Sequence, residues 1–452
     1  MTPAFRNYRW IICALLFFAT TINYIDRQIL ALLKETLDQE IQWTNEQFGW
    51  VNASFQLAYA VGLLGFGWCV DRFGTKLGYA VSIAAWSLAA MSHSLVSTFH
   101  GFLCARLGLG VSEGGNFPSA IKAVALWFPK KERALATSIF NAGTNVGAII
   151  GPAMIPWLAS TDAAWGWKAL CLRHGWEQSW PWLEHTWGWR AAFVAAGLVG
   201  FLWLLLWGPF YNVPEKIRRL NPEELKHIRS DNDETAAQPQ LSWVSLLNYP
   251  QTWSFVVAKF LTDPVWWFFL IWLPDYFYKT RGLDIKHSWV LIVAIYGIVT
   301  VLSILGGWVT GFLAGRGWTI TRARKTGMFV FALCVLPILI VTRVGDWSAV
   351  MLIGLAGAAH QAWSANLFTT ASDMFPRRAV ASVVGLGGMA GSLGGFLFPI
   401  FTGKMLDHFK TVNNITAGYA ILFGICALAY LVAFGLNHLL APRFEPIEIK
   451  NA

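Results

Sequence analysis

Apolar residues along this chain gather into twelve long runs, each near the ~20 residues that a helix needs to cross a bilayer. They span 9–34, 47–70, 77–97, 99–127, 134–159, 189–211, 250–278, 287–313, 326–344, 347–371, 380–405 and 417–440. Lipid offers no partner to an exposed backbone group, so runs of this kind are expected to be helices. The pattern predicts an all-α membrane protein of twelve transmembrane helices. The first run is too long for the apolar stretch of a cleaved signal and lacks a small-residue cleavage site, so it is expected to stay as the first helix.

Composition agrees. The chain is 56% hydrophobic and 13% charged, with 26 Trp, a balance that no soluble domain needs. Its net charge of +9 could point to nucleic acid, but the placement of the charge argues against that. Lysines and arginines gather on one side of the predicted membrane, as in Arg72, Lys76, Lys130, Lys131, Arg133, Arg322, Arg324, Lys325, Arg377 and Arg378. This positive-inside bias places both termini in the cytoplasm. The six cysteines are scattered without a CxxC pair, and the histidines show no ligand spacing, so no metal, cofactor or disulfide framework is expected. No nucleophile–base constellation suggests an enzyme.

Polar residues inside the runs carry the functional signal. Asp26 and Arg27 fall in the first run, Arg106 and Glu113 in the fourth. A charge at the bilayer centre costs at least ~2.5–3.5 kcal/mol, so such residues face each other or a cavity and mark an ion or substrate path. Arg106 and Glu113 are spaced to share one helix face about 10.5 Å apart; the lesser alternative is that they, and Asp26 with a partner, are structural ion pairs. Asp26 and Arg27 are adjacent and point to different sides. Lys259 and Asp263, one turn apart, are expected to neutralise each other, and Lys122 to snorkel toward the cytoplasm.

The chain reads as two halves, 1–211 and 250–452, joined by a charged cytoplasmic linker at 212–249. Asn221-Pro222-Glu223-Glu224 has the order of a helix start, with a capping Asn, Pro at the first position and acids in the first turn. The halves echo each other: Phe128-Pro129 recurs as Phe375-Pro376, and at the same offset Gly147 meets Gly394 and Pro152 meets Pro399. Internal repeats in a twelve-helix protein point to a transporter with its substrate site near the membrane midplane.

Between the second and third runs the chain reads Gly67-Trp68-Cys69-Val70-Asp71-Arg72-Phe73-Gly74-Thr75-Lys76-Leu77-Gly78. This resembles the GxxxDxxGxKxG signature of the major facilitator superfamily at every fixed position. Gly67, Gly74 and Gly78 permit a tight turn and close helix contact, while Asp71, Arg72 and Lys76 could form a breakable cytoplasmic latch. The copy in the second half is decayed, with Gly311 in place of the aspartate and Ala314 in place of a glycine. Further segments resemble the anion:cation symporter family, and within it bacterial hexuronate and aldonate transporters: Asn23 to Arg27, Arg106 to Pro118, Trp127 to Arg133, Lys259 to Pro274 and Ala359 to Asn366. The Trp-rich stretch 160–188 has no counterpart in that resemblance. Interfacial anchoring explains it most simply, and stacking on sugar is the alternative.

The resemblance implies a proton-coupled symporter that imports a sugar acid, a hexuronate or an aldonate, across the bacterial inner membrane as a monomer in contact with lipid. Arg27 would bind the substrate carboxylate, which suits a guanidinium that stays charged when buried and grips bidentately. Tyr24 and Tyr59 would add hydrogen bonds, with Arg106 nearby. Asp26 and Glu113 would be the protonatable partners. His360 aligns with Glu113 at the repeat offset and is a third titratable candidate, although a hydrogen-bonded core histidine is the commoner case. Gln361, Trp363, Ser364 and Asn366 are candidate contacts for sugar hydroxyls, as are Asn141 and Asn145. Gly147, Gly151 and Pro152 resemble an antiporter motif, but close helix packing accounts for them. The rival readings are an organic-anion exporter or antiporter on the same fold, and a transport-inactive membrane receptor.

Overall fold

The computed structural model describes residues 7–180, 188–217, 219–230, 243–283, 285–375 and 377–447. Among these residues the structure is helical throughout. In chain order the helices are α1 (Tyr8–Leu32), α2 (Lys34–Ile41), α3 (Asn45–Phe73), α4 (Thr75–Ser92), α5 (Phe99–Glu113), α6 (Asn116–Trp127), α7 (Lys130–Ala159), α8 (Trp167–His174), α9 (Trp176–Ser179), α10 (Trp189–Phe210), α11 (Pro222–Ile228), α12 (Trp243–Leu246), α13 (Pro250–Arg281), α14 (Ile285–Gly315), α15 (Ile320–Val335), α16 (Asp346–Met374), α17 (Arg377–Thr411) and α18 (Ile415–Leu440). Each of the twelve apolar runs coincides with one of the long helices or a consecutive pair. Seven of the described helical segments are by themselves long and apolar enough to cross a membrane.

Not every run is a single α-helix: the third ends in a 3-10 turn, His93–Leu95. The fourth breaks after Glu113 into α5 and α6, because Gly114 and Gly115 lie against neighbouring helices. A Cβ on Gly114 would strike the α3 backbone at Gly62, and one on Gly115 would strike the Ser82 side chain of α4. The Ser82 hydroxyl donates to the Ser112 carbonyl over 2.7 Å beside the break. The ninth run ends as a 3-10 helix, Leu336–Arg343, whose second residue, Pro337, has no N–H for the α ladder.

The chain divides into two compact units, Met1–Trp43 with Ser54–Thr235, and Thr44–Ala53 with Ala236–Ala452. The start of α3 thus groups with the second unit and its remainder with the first. In the first unit α1 packs along α7, and α4 along α10. Glycines allow the first of these contacts: a Cβ on Gly143 would lie 2.5 Å from the Phe17 carbonyl, and one on Gly147 would lie 2.6 Å from that of Thr21. Gly147 therefore serves close packing. The linker helix α11 is capped by Asn221, which accepts from the Glu223 N–H at 2.9 Å. Glu224 in turn accepts from the backbone N–H groups of Tyr8 and Arg9 and from the Arg9 guanidinium, closing the start of α1 with a carboxylate. At the start of α7, burial raises the Glu132 pKa, but hydrogen bonds from His227 and Arg9 outweigh it and hold the carboxyl below the ordinary glutamate value.

The second unit repeats the scheme. There α13 packs along α17 and α18, as α1 packs along α7, and α14 packs along α16. Asp407 accepts from the backbone N–H groups of Asn45 and Glu46 and so caps α3. Buried Asp275 accepts from the Tyr419 hydroxyl and lies 3.0 Å from Lys279.

Candidate substrate and proton site

The first unit gathers four ionisable side chains in its interior. Asp26 is 1% exposed, Arg27 6%, Arg106 2% and Glu113 0%. The spacing of Arg106 and Glu113 suggests that they share a face as one pair, but the close ion pair joins different helices. Arg27 Nε donates to Glu113 Oε2 at 2.7 Å. Arg106 Nη2 reaches the Arg27 carbonyl at 3.4 Å. Both oxygens of Asp26 and Oε1 of Glu113 lack a hydrogen-bond partner among the described residues.

Helix packing sets this geometry. A Cβ on Gly110 would sit 2.5 Å from the Phe55 carbonyl of α3, so Gly110 and Gly114, four residues apart, bring α5 against α3. Glu113 is carried on that contact, and α1 presents Arg27 to it. The Arg27 guanidinium then lies over three rings, with its carbon 4.5 Å from the centroid of Tyr59, 5.2 Å from Tyr24 and 5.2 Å from Phe55. Arg106 also lies over Phe55, at 5.4 Å. Ring faces attract cations, more strongly away from water, so the three aromatics stabilise the guanidinium groups where hydration is lost. Phe55 is one turn before Tyr59 on α3 and is absent from the residues suggested by sequence, although helical spacing from Tyr59 points to it.

Asn141 is exposed and Asn145 half-buried, both on α7. In the second unit, His360 is 5% exposed; its Nδ1 is 2.6 Å from the Tyr430 hydroxyl, and its ring stacks on Trp266 at 5.4 Å. That is the geometry of a hydrogen-bonded core histidine. Trp363 is fully buried edge-on to Tyr430, with its indole N–H lacking a partner among the described residues. Asn366 donates to the Ala362 carbonyl and accepts from Arg324. Gln361 and Ser364 are half-buried on the same helix. Lys259 and Asp263 pair at 2.7 Å, as their spacing suggests.

In the glycine motif, Gly74 adopts φ +86°, a conformation that side chains resist, and so ends α3 and starts α4. Gly78 is close-packed, since a Cβ there would lie 2.7 Å from Val70 Cγ2, whereas one on Gly67 would meet nothing within 4 Å. Arg72 and Lys76 are exposed, and Lys122 donates to the Val70 carbonyl at 3.0 Å near the end of α3. The side chains of Asp71, Gly311 and Ala314 lie outside the described residues, as do Pro376, Trp182, Trp187 and linker residues 231–242. In the Trp-rich stretch, Trp167 contacts Trp176 and also Trp157 of α7, and Trp180 is exposed.

A chain of membrane-length helices in two packing repeats, with buried opposite charges in its interior, is the architecture of a secondary transporter. Residues 16–399 match the Major Facilitator Superfamily, and the chain belongs to that family. It is therefore a multi-pass membrane transporter and not an enzyme. It is similar to the "Hexuronate transporter" of Escherichia coli (strain K12), with 28% identity over 433 residues that cover 94% of this chain and 91% of that protein. A second relative is the "Probable galactarate/D-glucarate transporter GudP" of Bacillus subtilis (strain 168), 25% identical over 96% of this chain and 93% of the other. Among solved structures, a bacterial homolog of the human lysosomal transporter Spinster, inward-facing and occupied, superposes with a TM-score of 0.75 at 18% identity, over 97% of this chain and 98% of that one.

Proposed function

We propose that this chain imports a sugar acid across the bacterial inner membrane together with a proton, by alternating access. The substrate class is a hexuronate such as glucuronate or galacturonate, or an aldonate, in keeping with the names of its relatives. The observation that carries the reading is the buried quartet of Asp26, Arg27, Arg106 and Glu113, whose formal charges cancel. A substrate carboxylate entering this group would leave one negative charge uncompensated away from water, at a cost of several kcal/mol. A proton on Glu113 or Asp26 restores neutrality. Anion and proton therefore strengthen each other's binding, and by linkage each does so by the same factor.

The Arg27–Glu113 pair supplies the exchange. When Glu113 takes a proton its hold on the guanidinium weakens, and Arg27 turns its planar fork to the substrate carboxylate, with Tyr24 and Tyr59 offering hydroxyls beside it. Losing the proton restores the pair and expels the anion. Asp26, buried without a hydrogen-bond partner among the described residues, is the second proton acceptor. The segment Gly67 to Gly78 acts as the cytoplasmic gate, with both termini on that side. The quartet holds two arginines, which opposes an organic-cation substrate.

A thermal-shift screen of the purified protein in detergent tests the substrate class. Glucuronate, galacturonate or galactonate should raise the melting temperature, with stabilisation of ~2.7 kcal/mol when ligand exceeds its Kd about a hundredfold. Stabilisation by organic cations, with none by any sugar acid, would overturn the reading.

A further inference from the structure

A cavity of about 270 Å³ opens in the first unit at the end of α10, away from the buried quartet. Its lining includes Lys76, Lys216 and Arg219, together with Tyr8, Tyr211 and Asn212. All three cations are exposed. The nearby carboxylates are committed elsewhere: Glu215 pairs with Arg229, and Glu224 holds Arg9 and the start of α1. Lys76 is the second residue of α4, whose N-terminus has no side-chain cap. Its backbone N–H groups and dipole therefore add to the positive potential. Tyr211 is 1% exposed and forms part of the cavity wall, stacked on Trp207.

We infer that this cavity binds the phosphate of an anionic phospholipid on the cytoplasmic leaflet. A phosphate would meet three cations beside a helix N-terminus, whereas a zwitterionic headgroup would bring an ammonium into a cationic site. The lipid source follows from the neighbouring surface. Helix α10 leads to the cavity with Leu198, Leu202, Leu205 and Leu206 exposed along it, at 49%, 60%, 71% and 50%. That strip suits acyl chains, and the basic cavity at its end suits the headgroup, the arrangement by which basic pockets at membrane helices hold acidic lipids. Because Lys76 belongs to the gate segment and Lys216 and Arg219 to the linker, the lipid ties the two together. The site uses none of the residues assigned to the substrate.

The test uses the full chain in detergent, with melting followed as phosphatidylglycerol, phosphatidylcholine or inorganic phosphate is titrated. Phosphatidylglycerol should give a saturable rise in melting temperature and phosphatidylcholine none. The double variant Lys216→Gln/Arg219→Gln, altered only at exposed linker positions, should weaken the phosphatidylglycerol response roughly 30-fold. Inorganic phosphate giving the same saturable, variant-sensitive rise would support the phosphate site and assign it to a free anion. Equal responses to the two lipids, or a double variant that responds like the parent protein, would overturn the inference.

Discussion

Replacing Arg27 by lysine is expected to leave a folded protein whose sugar-acid uptake is reduced roughly 100-fold, equivalent to about 3 kcal/mol of lost binding. The charge survives the change, so the quartet stays neutral and Glu113 keeps a cationic partner. What is lost is the planar fork that grips a carboxylate with two parallel hydrogen bonds. The guanidinium also lies over Tyr24, Phe55 and Tyr59 at 4.5–5.2 Å, contacts that a compact ammonium cannot reproduce together. Initial-rate uptake in membranes containing equal amounts of protein measures the effect. Near-normal uptake at unchanged apparent affinity would remove Arg27 from the substrate site.

The second large effect is expected at Glu113, and its form differs. Glu113→Gln mimics an acid that never releases its proton. The empty quartet then carries a net positive charge, so the unliganded protein should melt at a lower temperature, because an uncompensated buried charge costs ~3–5 kcal/mol. Substrate should bind more tightly, without dependence on pH, and should restore the melting temperature. Exchange of labelled for unlabelled substrate should continue, while accumulation driven by a pH gradient stops. Full accumulation by this variant would show that Glu113 is not the coupling acid. Loss of exchange together with accumulation, in a protein that still binds substrate, would contradict the exchange of partners proposed for Arg27.

Much of the architecture is legible in the chain because bilayer thickness imposes one length on every spanning helix, and Pro, Gly and charge mark the ends. The capped start of α11 at Asn221 is read from four residues alone. The break after Glu113 is not legible, since it depends on how closely Gly114 and Gly115 approach α3 and α4. The site shows the same division. The cost of intramembrane charge singles out Asp26, Arg27, Arg106 and Glu113 without any structure. Their pairing is another matter: helical spacing joins Glu113 to Arg106 on its own helix, whereas the structure joins it to Arg27, 86 residues away in sequence. His360 likewise finds Tyr430 across 70 residues, a contact that sequence spacing does not show.

Anion and proton are expected to cross together because the buried quartet remains neutral. Purified protein in liposomes, loaded at higher internal pH, tests this directly when labelled glucuronate and internal pH are followed at once. Glucuronate should accumulate above the external concentration with acidification inside that depends on the substrate, and accumulation should fail once an ionophore has collapsed the pH gradient beforehand. Glucuronate accumulation that persists after collapse, or that requires a sodium gradient instead, would contradict proton coupling.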